Sequence, residues 1–287
     1  MTFTHLAAAA GPNTDAIEPG AAVSLGAEVD GVKVHYTSYG EGPVAVVFVH
    51  GWSCDETFWA AQGPALAAQN IRAITIDLPG HGQSDKPTID YTMNLNARAI
   101  TAVLDHAEVK SATLIGHSLG AAAIRQAYRR IPGRVSALVI VDGALRPFGD
   151  AAMLEKFIAP LRGPDFQQAF GRSLEGMTQQ IRDPLLREKI KTQVAQTPQH
   201  VVVSAMESSA DPALWKPDQI DVPVLMIMAR NPRWNADYEQ FVRSFIPNLQ
   251  YETWDGVSHF LMMEKPREFT EALVKFMRTH LLLPERS

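Results

Sequence analysis

The chain has 287 residues, 46% of them hydrophobic and 20% charged, which is enough to bury a sizeable core and unlike a disordered or fibrous protein. Its net charge of −5 supplies no basic field for nucleic acid or an anionic membrane surface, and its single cysteine, Cys54, excludes an intramolecular disulfide. No apolar run reaches the length of a transmembrane helix.

Residues 1–20 are small, polar and punctuated by Pro and Gly, and read as a flexible tail. They lack the basic start and long apolar stretch of a secretory signal, although the Ala7–Ala10 run also suits the remnant of a trimmed one. The compartment therefore stays open between the cytoplasm and the periplasm or exterior. Ordered structure is expected from Ala21. Two alternating runs, AVSLGAEV and VKVHYTSY, flank Asp30-Gly31 and predict a β-hairpin. Short continuous apolar runs follow at 44–49, 73–76, 112–115, 137–141 and 224–228, with helical patterns at 57–69, 93–107 and 119–130. Such runs are strands buried on both faces of a parallel sheet. A last strand at 250–254 and a closing helix at 266–280 complete an α/β fold, a mostly parallel twisted sheet flanked by helices.

The alternation breaks once, after the sixth strand. From 145 to 221 nothing reads as a strand; helical stretches at 151–161, 165–177, 183–196 and 199–208 are separated by Gly163-Pro164, Asp183-Pro184, Pro198 and Asp211-Pro212. An all-helical insert in such a sheet predicts a cap over the carboxyl ends of the strands, where ligands bind. The expected organisation is a core of 21–144 and 222–287 carrying a helical cap of 145–221.

Gly116-His117-Ser118-Leu119-Gly120 joins a predicted strand to a predicted helix. A turn that tight needs small flanking residues, and it lifts the Ser118 hydroxyl clear of the sheet at a helix N-terminus, where negative charge is favoured. A serine hydroxyl is a poor nucleophile until a base takes its proton. His259, in the loop between the last strand and the closing helix, is the candidate base. Two backbone N–H groups are needed where the oxyanion develops. Leu119 follows the nucleophile, and Trp52 lies in the His50-Gly51-Trp52 loop after the first long parallel strand. Asp77 and Asp85 bracket Pro-Gly-His-Gly-Gln-Ser and are expected to brace that turn. His81 has no second ligand at a usable spacing, and neither a phosphate loop nor a dinucleotide glycine pattern is present, so no metal or cofactor is expected.

These residues resemble the α/β-hydrolase superfamily, in its capped serine hydrolase branch. The resemblance rests on Val49-His50-Gly51-Trp52, the run from Asp77 to Asp85, Gly116–Gly120 and Gly256-Val257-Ser258-His259, and it spans nearly the whole chain. It implies a Ser-His-acid triad. Dehalogenases and epoxide hydrolases of this fold carry Asp as nucleophile, so Ser118 argues against both. In most of the superfamily the acid follows the strand at 224–228, but that stretch reads Ala229-Arg230-Asn231-Pro232-Arg233-Trp234 and holds no carboxylate before Asp237. The other known location is the end of the preceding strand, where Asp142 stands. Asp142 is the expected acid and Asp237 the fallback.

The expected reaction is hydrolysis of an ester or lactone through an acyl-enzyme, without a cofactor, by a monomer or homodimer. The cap residues Phe166, Phe170 and Trp215, together with His117 beside the nucleophile, are the expected contacts of a small, largely apolar substrate. Cofactor-free dioxygenases, carbon–carbon bond hydrolases and hydrolase-like small-ligand receptors share the fold and remain alternatives.

Overall fold

The computed structural model describes residues 22–147 and 149–283; the expected tail, 1–20, lies outside the described residues. An antiparallel hairpin, β1 (Ala22–Val29) and β2 (Val32–Tyr39), turns at Asp30-Gly31 as its sequence predicts. The remaining strands are β3 (Val44–Val49), β4 (Ile71–Ile76), β5 (Ala112–His117), β6 (Val135–Val141), β7 (Val224–Ala229) and β8 (Leu249–Trp254). They form one eight-stranded sheet in the order β1-β2-β4-β3-β5-β6-β7-β8. β2 meets β4 antiparallel, and from β4 to β8 every pairing is parallel. β5 and β7 are buried along their whole length, which explains their continuous apolar runs. β8 is half-buried throughout, as befits an edge strand.

Helices flank the sheet: α1 (Gln62–Ala67), α2 (Met93–His106), α3 (Gly120–Arg130), and later α8 (Ala236–Arg243), α9 (Leu261–Glu264) and α10 (Pro266–Thr279). One continuous helix was expected over 57–69. Instead a short 3₁₀ turn, Glu56–Trp59, capped by the Asp55 side chain, precedes α1. Pro64 has no N–H to continue a helix from Thr57, so the regular helix starts afresh with the proline in its first turn.

Between β6 and β7 the described chain carries helices α4 (Ala151–Arg162), α5 (Phe166–Thr178), α6 (Pro184–Val194) and α7 (Gln199–Glu207), and no strand. Carboxylates start three of its turns. Asp150 accepts from Met153 N–H at 2.8 Å, Asp183 from Leu185 N–H at 2.9 Å, and Asp211 from Ala213 N–H at 2.9 Å. Each satisfies a donor the helix leaves open, with Pro184 and Pro212 at positions that need none.

The insert is tied to the core at both ends by α3. Arg125 is 2% exposed and donates to the carbonyls of Leu145, at 3.3 Å, and of Lys216. Its guanidinium also lies 5.2 Å over the Phe245 ring. Arg129 donates to the carbonyls of Ala213 and Lys216, at 3.0 and 2.9 Å, and pairs with Asp218 at 2.6 Å. Burial pushes Arg125 down to about 10, which still leaves it charged at neutral pH.

No described helix is long and apolar enough to cross a membrane.

Candidate active site

Parallel strands deliver the site because their carboxyl ends share one edge of the sheet. Ser118 follows β5 directly and adopts φ 53°, in the left-handed region that a non-glycine residue occupies only under constraint. Its N–H donates to the Val141 carbonyl at 2.9 Å, which fixes the elbow against β6. The flanking glycines are there for space. A Cβ at Gly116 would meet the Gly120 carbonyl oxygen at 2.4 Å, and one at Gly120 would meet the His50 carbonyl oxygen at 2.5 Å.

His259 lies in the loop after β8, and its Nε2 is 2.9 Å from Ser118 Oγ. Its other ring nitrogen, Nδ1, donates to Asp142 Oδ2 at 2.6 Å. Asp142 follows β6 and, like Ser118, has a left-handed backbone, φ 44°, with its N–H on the Ile227 carbonyl at 2.9 Å. Its side chain is 8% exposed. Oδ1 is saturated by two donors, Ala229 N–H at 2.9 Å and the Trp234 indole Nε1–H at 2.8 Å. Three residues from three different strand ends, far apart in the chain, thus form one hydrogen-bonded line.

The structure does not bring Asp237 to His259. Asp237 is exposed in the first turn of α8, which is capped by Asn235 and where an acidic side chain complements the helix dipole. α8 itself was not foreseen, although Asn235 and the acidic pair Asp237 and Glu239 are its start signal. Asp255, four places before His259, pairs outward with Arg230.

Trp52 follows β3 and is 6% exposed. Its indole N–H donates to the Val202 carbonyl of α7 at 2.9 Å, and its ring lies 5.6 Å from Phe157 of α4 and 5.5 Å from Phe170 of α5. The loop that would supply one oxyanion donor is therefore packed on three helices of the insert. Leu119 opens α3, where amide N–H groups have no partner within the helix.

His117 requires a correction. It was expected against the substrate, but it is 1% exposed, and its Nε2–H donates to the His259 backbone carbonyl at 2.8 Å. Burial, and then the neighbouring His259, push it well below the usual histidine range, so the ring is neutral and braces the His259 loop from beneath. Phe166 and Phe170 are buried and stacked at 5.2 Å, and of the two it is Phe170 that touches Trp52. Trp215 donates its indole N–H to the Ser209 carbonyl at 2.8 Å; among the described residues no recorded hydrogen bond or ring contact joins it to Ser118, His259 or Asp142.

The other histidines of the site region are also neutral braces. His50 Nε2 accepts from Leu78 N–H at 3.0 Å. His81 donates through Nδ1 to the Pro79 carbonyl at 3.0 Å and is pushed down to about 3 by burial and by His50. Among the described residues one group has metal-ligating atoms within 4.8 Å of one another: His35, Glu56 and Asp77. Protein donors already occupy them. Asp77 accepts from His35 Nδ1 at 3.0 Å, from Glu56 N–H at 2.8 Å and from Gln83 N–H at 2.8 Å, and Glu56 accepts from the Thr37 and Thr75 hydroxyls at 2.8 and 2.7 Å. The cluster is a hydrogen-bonded brace for the 77–85 turn, in keeping with the structural part expected of Asp77.

The sheet order and the serine at the strand-to-helix elbow define an α/β-hydrolase type of fold. The chain belongs to the alpha/beta hydrolase family, whose model matches residues 46–272. Est816, described as an N-acyl homoserine lactone degrading enzyme, superimposes with a TM-score of 0.75 at 29% identity, covering 88% of this chain and 100% of that one. A 2-hydroxy-6-oxononadienedioate/2-hydroxy-6-oxononatrienedioate hydrolase from Paraburkholderia phymatum is 24% identical over 96% of this chain and 98% of its own length. The dihydrolipoyllysine-residue acetyltransferase component of the acetoin cleaving system from Pseudomonas putida is 37% identical over 41% of this chain, a match spanning only 32% of that protein.

Proposed function

We propose that the protein is a serine hydrolase that cleaves an ester or lactone bond through an acyl-enzyme. The observation that carries this reading is the line Ser118 Oγ–His259–Asp142, with heavy-atom separations of 2.9 and 2.6 Å. Ser118 Oγ attacks the carbonyl carbon while His259 Nε2 takes its proton. The Trp52 and Leu119 amides stabilise the oxyanion, and Asp142 stabilises the imidazolium that forms. His259 returns the proton to the departing alkoxide. Water, deprotonated by the same nitrogen, then attacks the acyl carbon, and the proton passes back to Ser118 as the acid product leaves. For a lactone both products stay on one molecule.

A serine nucleophile favours acyl transfer over the dehalogenase and epoxide reactions of the fold. The likeness to a lactone-degrading enzyme over most of both chains supports the lactone alternative. The helical insert acts as a cap: its Phe157 and Phe170 rings pack on the Trp52 side chain and offer apolar surface beside the loop that carries one oxyanion donor.

A panel of p-nitrophenyl esters and of γ-lactones, assayed with wild type and Ser118→Ala, tests the reading. Wild type should turn over at least one class, and the variant should lose about 10³-fold or more in kcat with an unchanged melting curve. An enzyme inert towards every ester and lactone but active on a 2-hydroxy-6-oxo dienoate would move the same serine to carbon–carbon bond hydrolysis.

A further inference from the structure

One of the three hydrogen bonds to the Asp142 carboxylate comes from the loop that, in the usual pattern, would carry the acid. That loop, 230–235, has no carboxylate. It supplies Trp234 instead, with its indole N–H 2.8 Å from Asp142 Oδ1. We propose that Trp234 is a positioning residue for the triad acid, fixing Asp142 so that Oδ2 alone faces His259. The proposal rests on the triad reading above.

Three observations support it. A carboxyl group rotates readily about its terminal torsion, so one donor on Oδ1 leaves its plane poorly defined, whereas two donors from different directions define it. Ala229 N–H at 2.9 Å is the first and Trp234 the second. The indole is also neutral at every pH. An arginine or lysine there would hold the carboxylate equally well but would compete with the His259 imidazolium for its charge; the indole orients Asp142 without neutralising it. Finally, the indole is itself supported. Its ring lies 4.9 Å from the Tyr238 ring, and the Tyr238 hydroxyl accepts from Leu145 N–H at 3.0 Å and donates to the Gly143 carbonyl at 3.3 Å. The first turn of α8 and the loop leading into it thereby hold both the Asp142 side chain, through Trp234, and the backbone just beyond it, through Tyr238.

The test is a double-mutant cycle of Trp234→Phe with Asp142→Asn, read as kcat and KM on the best ester or lactone. Phenylalanine keeps an aromatic ring on Tyr238 and removes the donor. In the wild-type background it should lower kcat about 10- to 100-fold with KM changed less than about threefold, the size expected for losing a hydrogen bond to a charged group. In the Asp142→Asn background it should cost less than about threefold, because the group it acts through is no longer a carboxylate. Equal loss in both backgrounds would mean that Trp234 merely supports the fold, and no loss in wild type would mean that it does nothing; either overturns the proposal. If Asp142→Asn itself kept full activity, the triad reading would fail and take the proposal with it. Should Trp234→Phe not fold, site-specific replacement of Trp234 by 3-benzothienylalanine, in which sulfur stands for N–H, removes the donor with the bicyclic ring retained and is read against the same outcomes.

Discussion

Ser118 and Asp142 share an unusual local state. Each follows a strand directly, each is left-handed, at φ 53° and 44°, and each sends its N–H to the neighbouring strand. The neighbouring strands thus fix the backbone of both residues, where a loop would leave it mobile. The Ser118 turn was readable because its glycines are local. Asp142 was readable only through the resemblance, which places the acid either in the stretch 229–236, where no carboxylate stands, or at the end of the preceding strand. Its second donor was not readable: nothing in the sequence around Trp234 says that it reaches 92 positions back. Asp142→Asn is expected to lower kcat by about 10⁴-fold, the loss known when the acid of a serine triad becomes an amide and the imidazole takes the wrong tautomer. Asp237→Asn, on an exposed helix start, should stay within about threefold. Measuring kcat for the two variants side by side decides the assignment, and a crippled Asp237→Asn would reverse it.

Among the elements, strands were easier to foresee than the joints between them. Continuous apolar runs announce β3 to β7 because both faces of those strands are covered. The joints depend on single side chains acting across the fold. Arg125 and Arg129 reach from α3 to both ends of the insert, and as ordinary helical arginines they give no sign of it. The His35–Asp77 pair joins β2 to the turn after β4 in the same way. The hydrogen bond to Asp77 raises His35, against burial that lowers it. Burial alone would push the Asp77 carboxyl up, but hydrogen bonds from His35, Gln83 N–H and Glu56 N–H hold it below its usual value. The raised histidine contributes stability that is complete below its ordinary value of 6.5 and is lost as pH climbs through the higher folded value. The lowered carboxyl contributes stability present above 3.8 and lost as pH falls through the lower folded value. The brace is therefore strongest between 3.8 and 6.5. Tm followed from pH 5 to 9, a range of about four units, should decline on the alkaline side in wild type, and His35→Gln should abolish that slope while lowering Tm at pH 5 by about 5 °C. An unchanged slope in the variant would assign the decline to other groups.

At the scale of the whole molecule, the mostly parallel sheet and the helical interruption between β6 and β7 were legible from alternation, whereas the strand order, with β4 between β2 and β3, was not. How the insert meets the chemistry was not. The sequence suggested helices that choose substrates and leave catalysis to the core. Trp52 joins the two parts, because its indole is bonded to the Val202 carbonyl, 150 positions away, while its chain neighbour Gly51 packs against Ser118, where a Cβ on the glycine would meet the Ser118 Cβ at 3.0 Å. Trp52→Phe, which keeps the ring and loses that bond, is expected to lower kcat about 10-fold on acetate and on long-chain esters alike, with little discrimination between them. A loss confined to long chains would return the insert to a purely selective part. The same bond sets a rule for recombination. In many folds an inserted module can be exchanged for a relative's with the catalytic machinery left running, and new specificities are collected that way. Here the donor module must also bring a carbonyl to the place of Val202 and an aromatic ring to the place of Phe170. A chimaera library drawn from this chain should therefore sort by whether those two features arrive together, and very little by how closely the rest of the module resembles its own.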